Sequence, residues 1–420
     1  MAWRLRATSA SAGLMRGRTA ASPRRDRGAG SAAAKRHGGR WARVEAPFDA
    51  AKLERLMGEA GVGAVLATSR HDVRYLTGGY YHHFFLRTAR SGGGQYMAAV
   101  GVPRDLAQCF HVGGRDEAEQ IDRFGGMWID ERLSAADGLP PTVGVARRAA
   151  EAFRGLGLEA GTIGVEMPFL PADAFEALRR ELPSATFVDA SPLLGELRAI
   201  KRPDEVDRLR EVHRVTADAI AAVMRDGRAG MSTRELAAAV AAEIGARGVG
   251  FLYCLANVGP SYARDPGSDP WVAGRPMHLD AGGELDEFVS DICRQGSIGP
   301  VPDPARGMYH VCVQAVDRLI ARLGPGITCG EVMRLGGDFM RQTAWGADAG
   351  FTAHGLGMVS HEPPKVTGDP KRKLEPGMVL SLETEFRRPD VGHIKFEDSV
   401  VITADGCAAL GDFAREWREV

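Results

Sequence analysis

The chemistry-bearing residues of this 420-residue chain gather in its last third: Asp280, Asp291, His354, Glu383 and Glu397, each beside a glycine or within a strand-like run. Four carboxylates and one imidazole supply about four negative charges, which would repel one another in a shared site. Two divalent cations would largely neutralise them, so the residue types point to a two-metal site.

MHLDAGGELDEFVSDICR places Asp280 at the end of one short strand and Asp291 at the next, eleven residues on, with Gly282 and Gly283 expected to supply the turn. Both carboxylates would then face one point across a hairpin. In MVLSLETEF, Val379, Ser381 and Glu383 share one strand face, and in GHIKFED His393, Lys395 and Glu397 share another. An isolated Asp near a turn is ordinarily just solvated, but an acid in a largely apolar strand is costly unless paired or bound to metal. HGLGMVSHEPP joins the two carboxylate pairs. His354 and His361 are seven residues apart there, and Gly355 and Gly357 let the backbone approach a ligand closely. One imidazole would complete a metal shell while the other donates a hydrogen bond or moves a proton.

The frame that must position these groups is an ordinary globular one. At 44% hydrophobic and 25% charged residues the chain reads as two domains with a large core. Basic and acidic residues balance, 53 against 54, so no nucleic acid or membrane surface is expected as a partner. No run of about 18 apolar residues suggests a membrane span. Six cysteines, without a CxxC pair, fit reduced thiols and a cytoplasmic location and argue against a zinc-thiolate centre.

Residues 1–46 read as a disordered basic tail, with ten Arg, one Lys and a single acid between Met1 and Arg43. An upstream translation start in an Ala, Arg and Gly-rich bacterial genome or an organellar transit peptide in residues 1–44 would each give that composition. Order is expected from Phe48. A helix over Asp49 to Ala60, a strand over Ala64 to Ala67, strands over Gln95 to Val102 and Ile163 to Glu166, and helices over Val145 to Arg154 and Pro171 to Leu182 describe a small α/β domain, residues 47–200. A long helix opens near Pro203 with acids in its first turn, and a second at Ser232, where Ser232 and Glu235 form a capping box. Residues 201–420 are the second domain. His278 reads as a satisfied core histidine and Cys293 as a small buried residue.

From about Phe48 onward the ordered set DAG, SD, HGLG, HE, LET and KFED resembles the pita-bread metallohydrolases, which include methionine aminopeptidase, aminopeptidase P, prolidase and the metal-free creatinase. DVRYLTG (Asp72 to Gly78) and RAIKRPDE are similar to the creatinase and prolidase branch. The resemblance implies an α+β fold: a curved antiparallel sheet covered by helices, preceded by a smaller creatinase-like α/β domain. It further implies that Asp291 and Glu397 bridge two metal ions, with Asp280 completing one and His354 and Glu383 the other. Mn²⁺ is the foremost ion, with Co²⁺, Fe²⁺ or Zn²⁺ accepted. A metal-activated hydroxide would attack the scissile carbonyl. Glu383 would shuttle a proton and His361 would steady the oxyanion.

Three departures from the prolidase pattern lie on the substrate side. Gly350 stands where a histidine is usual, SYARDPGSDPW has no histidine, and Lys395 replaces an arginine fork with a point charge. An Xaa-Pro peptidase acting on short peptides is therefore the leading expectation. A non-peptidase relative that hydrolyses, or eliminates from, a small amide, amidine or charged metabolite is the alternative. The branch also implies a homodimer in which Tyr80, Tyr81, His82 and His83 help close the partner's pocket, against a loop that serves only its own domain.

Overall fold

The computed structural model describes residues 46–80, 96–114, 117–123 and 126–420. The expectations for the N-terminal tail and for Tyr81, His82 and His83 fall outside these residues.

Alternating apolar residues build a three-layer N-terminal domain. Its mixed sheet comprises β1 (Ala64–Ala67), β2 (Ala99–Pro103), β3 (Phe110–Gly113), β4 (Glu131–Ser134), β5 (Thr162–Val165) and β6 (Thr186–Asp189), in the order β4-β3-β2-β1-β5-β6. Successive side chains of β1 point to opposite faces. Ala64 and Leu66 join Phe153 and Leu178 of the helices Pro141–Gly155 and Ala172–Glu181, while Val65 and Ala67 join Leu53, Met57 and Leu194 of the helices Ala50–Glu59 and Ser191–Arg198. Asp49 starts the first of these, accepting a hydrogen bond from Lys52 N at 2.9 Å.

The C-terminal domain opens with the helices Pro203–Asp226 and Thr233–Ala246. Glu205 accepts from Arg202 N and Glu235 from Ser232 N, both at 2.8 Å, so each helix start satisfies its own free amides. The sheet that follows contains β7 (Gly250–Val258), β8 (Pro276–Leu285), β9 (Phe288–Val289), β10 (Ile292–Ser297), β11 (Ala349–Gly355), β12 (Val379–Arg388), β13 (Gly392–Ile402), β14 (Cys407–Ala409) and β15 (Arg418–Glu419). Its main path is β11-β12-β13-β10-β8-β7, antiparallel throughout.

Strand alternation divides this sheet into an apolar face and a polar one. Met277 and Leu279 pack under the first helix pair, and Leu380, Leu382, Phe396 and Val400 under a second pair, Ala305–Ile320 and Cys329–Arg341. His278, Asp280, Glu383, Lys395 and Glu397 occupy the other face.

The glycine turn expected between the two aspartates is corrected. Gly282 and Gly283 lie inside β8, and the chain turns at Asp286 and Glu287, with φ of 51° and 69°. The glycines serve close packing: a Cβ at Gly282 would strike the Tyr253 ring and come within 2.9 Å of Ser290 O, and one at Gly283 would meet Thr216 Oγ1 at 2.8 Å. Asp280 is thus in the middle of a ten-residue strand, and Asp291 precedes β10.

Candidate metal centre

One line of strand register crosses the C-terminal sheet. Asp280 pairs with Cys293, Cys293 with Glu397, Glu397 with Glu383, and Glu383 with Thr352. Directly paired residues of antiparallel strands share a face, which brings three of the five expected carboxylate and imidazole groups together. His354, two residues past Thr352, and Asp291, two before Cys293, add the next row on that face.

Ligand atoms of Asp291, His354 and Glu397, all buried, lie within 4.8 Å of one another. His354 Nε2 is 3.9 Å from Asp291 Oδ2, 3.5 Å from Glu383 Oε1 and 3.8 Å from Glu397 Oε1. It has no hydrogen-bond partner among the described residues. These separations are long for hydrogen bonds and suit donors sharing a small cation. Burial, then the charges of Glu397 and Asp280, push Asp291 well above the usual carboxylate range. Burial works against a charged His354, but Glu383, Glu397 and Asp291 outweigh it and lift the imidazole to about 10. So negative a pocket favours a cation, and oxygen donors with one imidazole suit Mn²⁺, Co²⁺ or Fe²⁺ and accept Zn²⁺. The residues fit divalent metal.

Lys395, expected on the substrate side, is buried among three of the carboxylates. Its Nζ is 2.6 Å from Asp280 Oδ2, 2.7 Å from Glu383 Oε2 and 2.8 Å from Glu397 Oε2. Burial disfavours the ammonium, but the carboxylates hold its pKa well above the ordinary lysine value. His361 stacks on His354, with centroids 4.0 Å apart and planes at 18°. Burial and the adjacent His354 lower its pKa.

Three groups beside the site escaped the sequence reading. Arg264 pairs with Asp280, the Tyr253 hydroxyl donates to Asp291 Oδ1, and Glu362 binds Lys201 at 2.9 Å and Arg198 at 3.2 Å. Arg264 belongs to SYARDPGSDPW, the stretch without a histidine. Glu362 in the HE pair and the basic residues of RAIKR were both visible as motifs, but nothing local joined them. At Gly350 a Cβ would come within 2.8 Å of Glu385, which binds His393 Nε2 at 2.7 Å. His278 is only half satisfied: Nδ1 is 3.3 Å from His393 O and Nε2 has no hydrogen-bond partner among the described residues. Cys293 is buried between Asp280 and Glu397. The Tyr80 hydroxyl donates to Glu117 Oε1 of its own domain at 3.1 Å.

Two sequence profiles match: Metallopeptidase family M24 over residues 207–404 and the Creatinase/Prolidase N-terminal domain over residues 50–200. The chain belongs to metallopeptidase family M24. It is accordingly a metallohydrolase with a creatinase-type N-terminal domain and a pita-bread domain. An uncharacterized peptidase of Bacillus subtilis is 26% identical over 368 residues, which span 84% of this chain and 95% of that one. An Xaa-Pro dipeptidase of Pyrococcus horikoshii is 25% identical over 276 residues, 64% of this chain and 76% of that one. Among solved structures, an Xaa-Pro dipeptidase from Bacillus anthracis superposes with a TM-score of 0.73 at 22% identity, covering 89% of this chain and 100% of that one. A dipeptidase from Pyrococcus horikoshii gives 0.76 at 23%, covering 88% and 99%. At these identities the solved structures speak for the fold alone.

Proposed function

We propose that this M24 protein is a metal-dependent Xaa-Pro peptidase that cleaves the bond before proline in dipeptides or short peptides. Asp280, Asp291, His354, Glu383 and Glu397 form the ligand set for up to two divalent ions, with Mn²⁺ foremost. The observation that carries the reading is the convergence of these five side chains on one sheet face, in a chain similar to Xaa-Pro dipeptidases. Bound metal supplies an activated water at neutral pH and polarises a carbonyl.

The chain's own residues do the rest. Glu383, with one oxygen toward His354 and the other toward Lys395, is placed to carry a proton to the leaving nitrogen. His361, held flat against His354, donates to the developing oxyanion. Lys395 and Arg264 give the Asp280 side a positive wall, and the protein works as a cytoplasmic homodimer; the substrate role proposed for His82 and His83 falls outside the described residues. The domain division is at residue 200, after a basic tail at residues 1–46.

A second reading, hydrolysis of or elimination from a small amide, amidine or charged metabolite, is favoured by one observation: Glu385 fills the space beside Gly350 where prolidases carry a histidine. Release of proline from Xaa-Pro dipeptides and longer Xaa-Pro peptides, after chelation and restoration of Mn²⁺, separates the two. No release from any of them, by protein shown to hold metal, sinks the peptidase reading.

A further inference from the structure

Glu383 and Glu397 each divide their carboxylate oxygens between two places. Their Oε1 atoms face His354 Nε2, at 3.5 and 3.8 Å, and their Oε2 atoms face Lys395 Nζ, at 2.7 and 2.8 Å. Two cation positions therefore lie side by side. The first is bounded by Asp291 Oδ2, His354 and the two Oε1 atoms. The second is bounded by Asp280 Oδ2 and the two Oε2 atoms, and there the Lys395 ammonium already sits.

Other groups of the chain engage the same carboxylates, Arg264 at the Asp280 Oδ2 that Lys395 also contacts. Asp280 is paired with Arg264, and Asp291 Oδ1 accepts from Tyr253. Four carboxylates set against the Lys395 and Arg264 cations leave two negative charges, which a single divalent ion neutralises. A second ion would have to displace a buried ammonium from three oxygens and leave it unpaired, which is strongly unfavourable. The residue type matters here: an ammonium is a compact point charge that fits among three oxygens, whereas a guanidinium is a planar fork.

We propose that Lys395 holds one of the two cation positions, so that the chain takes up one divalent ion, at Asp291, His354, Glu383 and Glu397. This rests on reading the carboxylate cluster as a metal centre. The test is metal content. Full-length protein is stripped with chelator, incubated with excess Mn²⁺, gel-filtered and analysed by inductively coupled plasma mass spectrometry, with circular dichroism to verify folding. The wild type should retain one Mn²⁺ per chain, Lys395→Met two, Asp280→Asn one, and Asp291→Asn almost none. Two ions in the wild type, or one in folded Lys395→Met, overturn the proposal while leaving the metal centre standing. If Lys395→Met does not fold, Asp280→Asn decides: content equal to wild type supports the proposal, and a fall overturns it. No ion in the wild type overturns the metal-centre reading, and this proposal with it.

Discussion

Removing the charge of Glu362 tests whether a buried ion network supports the loop that carries His361. Glu362 is 4% exposed, with Oε1 at 2.9 Å from Lys201 Nζ and Oε2 at 3.2 Å from Arg198 Nε. Glu362→Gln keeps the shape and takes the counter-charge from two buried cations, one of which has another. Arg198 retains Asp72, but Lys201 is left with Ala199 O at 3.4 Å. Breaking a buried pair from one side costs about 3–5 kcal/mol. The lower figure corresponds to roughly 1 M in a urea midpoint. The double variant Glu362→Gln/Lys201→Met, with no stranded ammonium at Lys201, should recover much of it.

The pH dependence has a definite sign. Burial raises the Glu362 carboxyl, yet Lys201 and Arg198 bring it below the ordinary value. Its contribution is whole above the unfolded-chain value of about 4.3 and is lost as pH falls through the lower, folded one. Urea unfolding from pH 7 down to pH 3 should therefore show a shallower acid decline for Glu362→Gln. A variant within about 0.5 kcal/mol of wild type at pH 7, with the same acid slope, would refute the buried-charge reasoning.

Three further perturbations probe the site. His354→Ala and Glu383→Gln should each lower kcat/KM on an Xaa-Pro peptide by about 100-fold or more, near 3 kcal/mol, with circular dichroism unchanged; wild-type turnover in either refutes the ligand assignment. Adding Mn²⁺ to chelated protein at 100 times its Kd should stabilise the fold by about 2.7 kcal/mol, read as a rise in Tm; no rise argues against a specific site. Gly282→Ala drives a methyl into the Tyr253 ring and should cost about 1–3 kcal/mol, and an unchanged Tm would contradict the tight fit.

What could be read in the sequence was what short range determines. Strand alternation placed Glu383 with Ser381, and Glu397 with Lys395, on shared faces, and the Ser232 and Glu235 capping box marked a helix start that the structure reproduces. The glycine pair misled because the same residue serves a turn or a close approach, and only the ring of Tyr253 across the strand pair decides which. Arg264, sixteen residues from Asp280, and Lys395, more than a hundred away, become partners of that carboxylate only through folding. Counting acids alone leaves out these counter-cations, whose pairing with Asp280 is set by the fold and not by local sequence.

The two motifs outside the metal ligands acquire a joint role from the same long-range pairing. The helix Arg70–Thr77 sends Arg70 to Glu284 and Glu287, and Arg74 to Asp286 and Glu287. Asp286 and Glu287 form the two-residue turn between β8 and β9 with both φ positive, a conformation that favours Asn or Gly. Arginine pairing offsets the unfavourable backbone and ties down the hairpin that carries Asp280 and Asp291. From the same helix Asp72 binds Arg198, which binds Glu362 beside His361. One short helix of the N-terminal domain thus reaches the hairpin of Asp280 and Asp291 directly and the segment of His361 through Arg198. The N-terminal domain thereby braces the segments that carry the candidate metal ligands and His361.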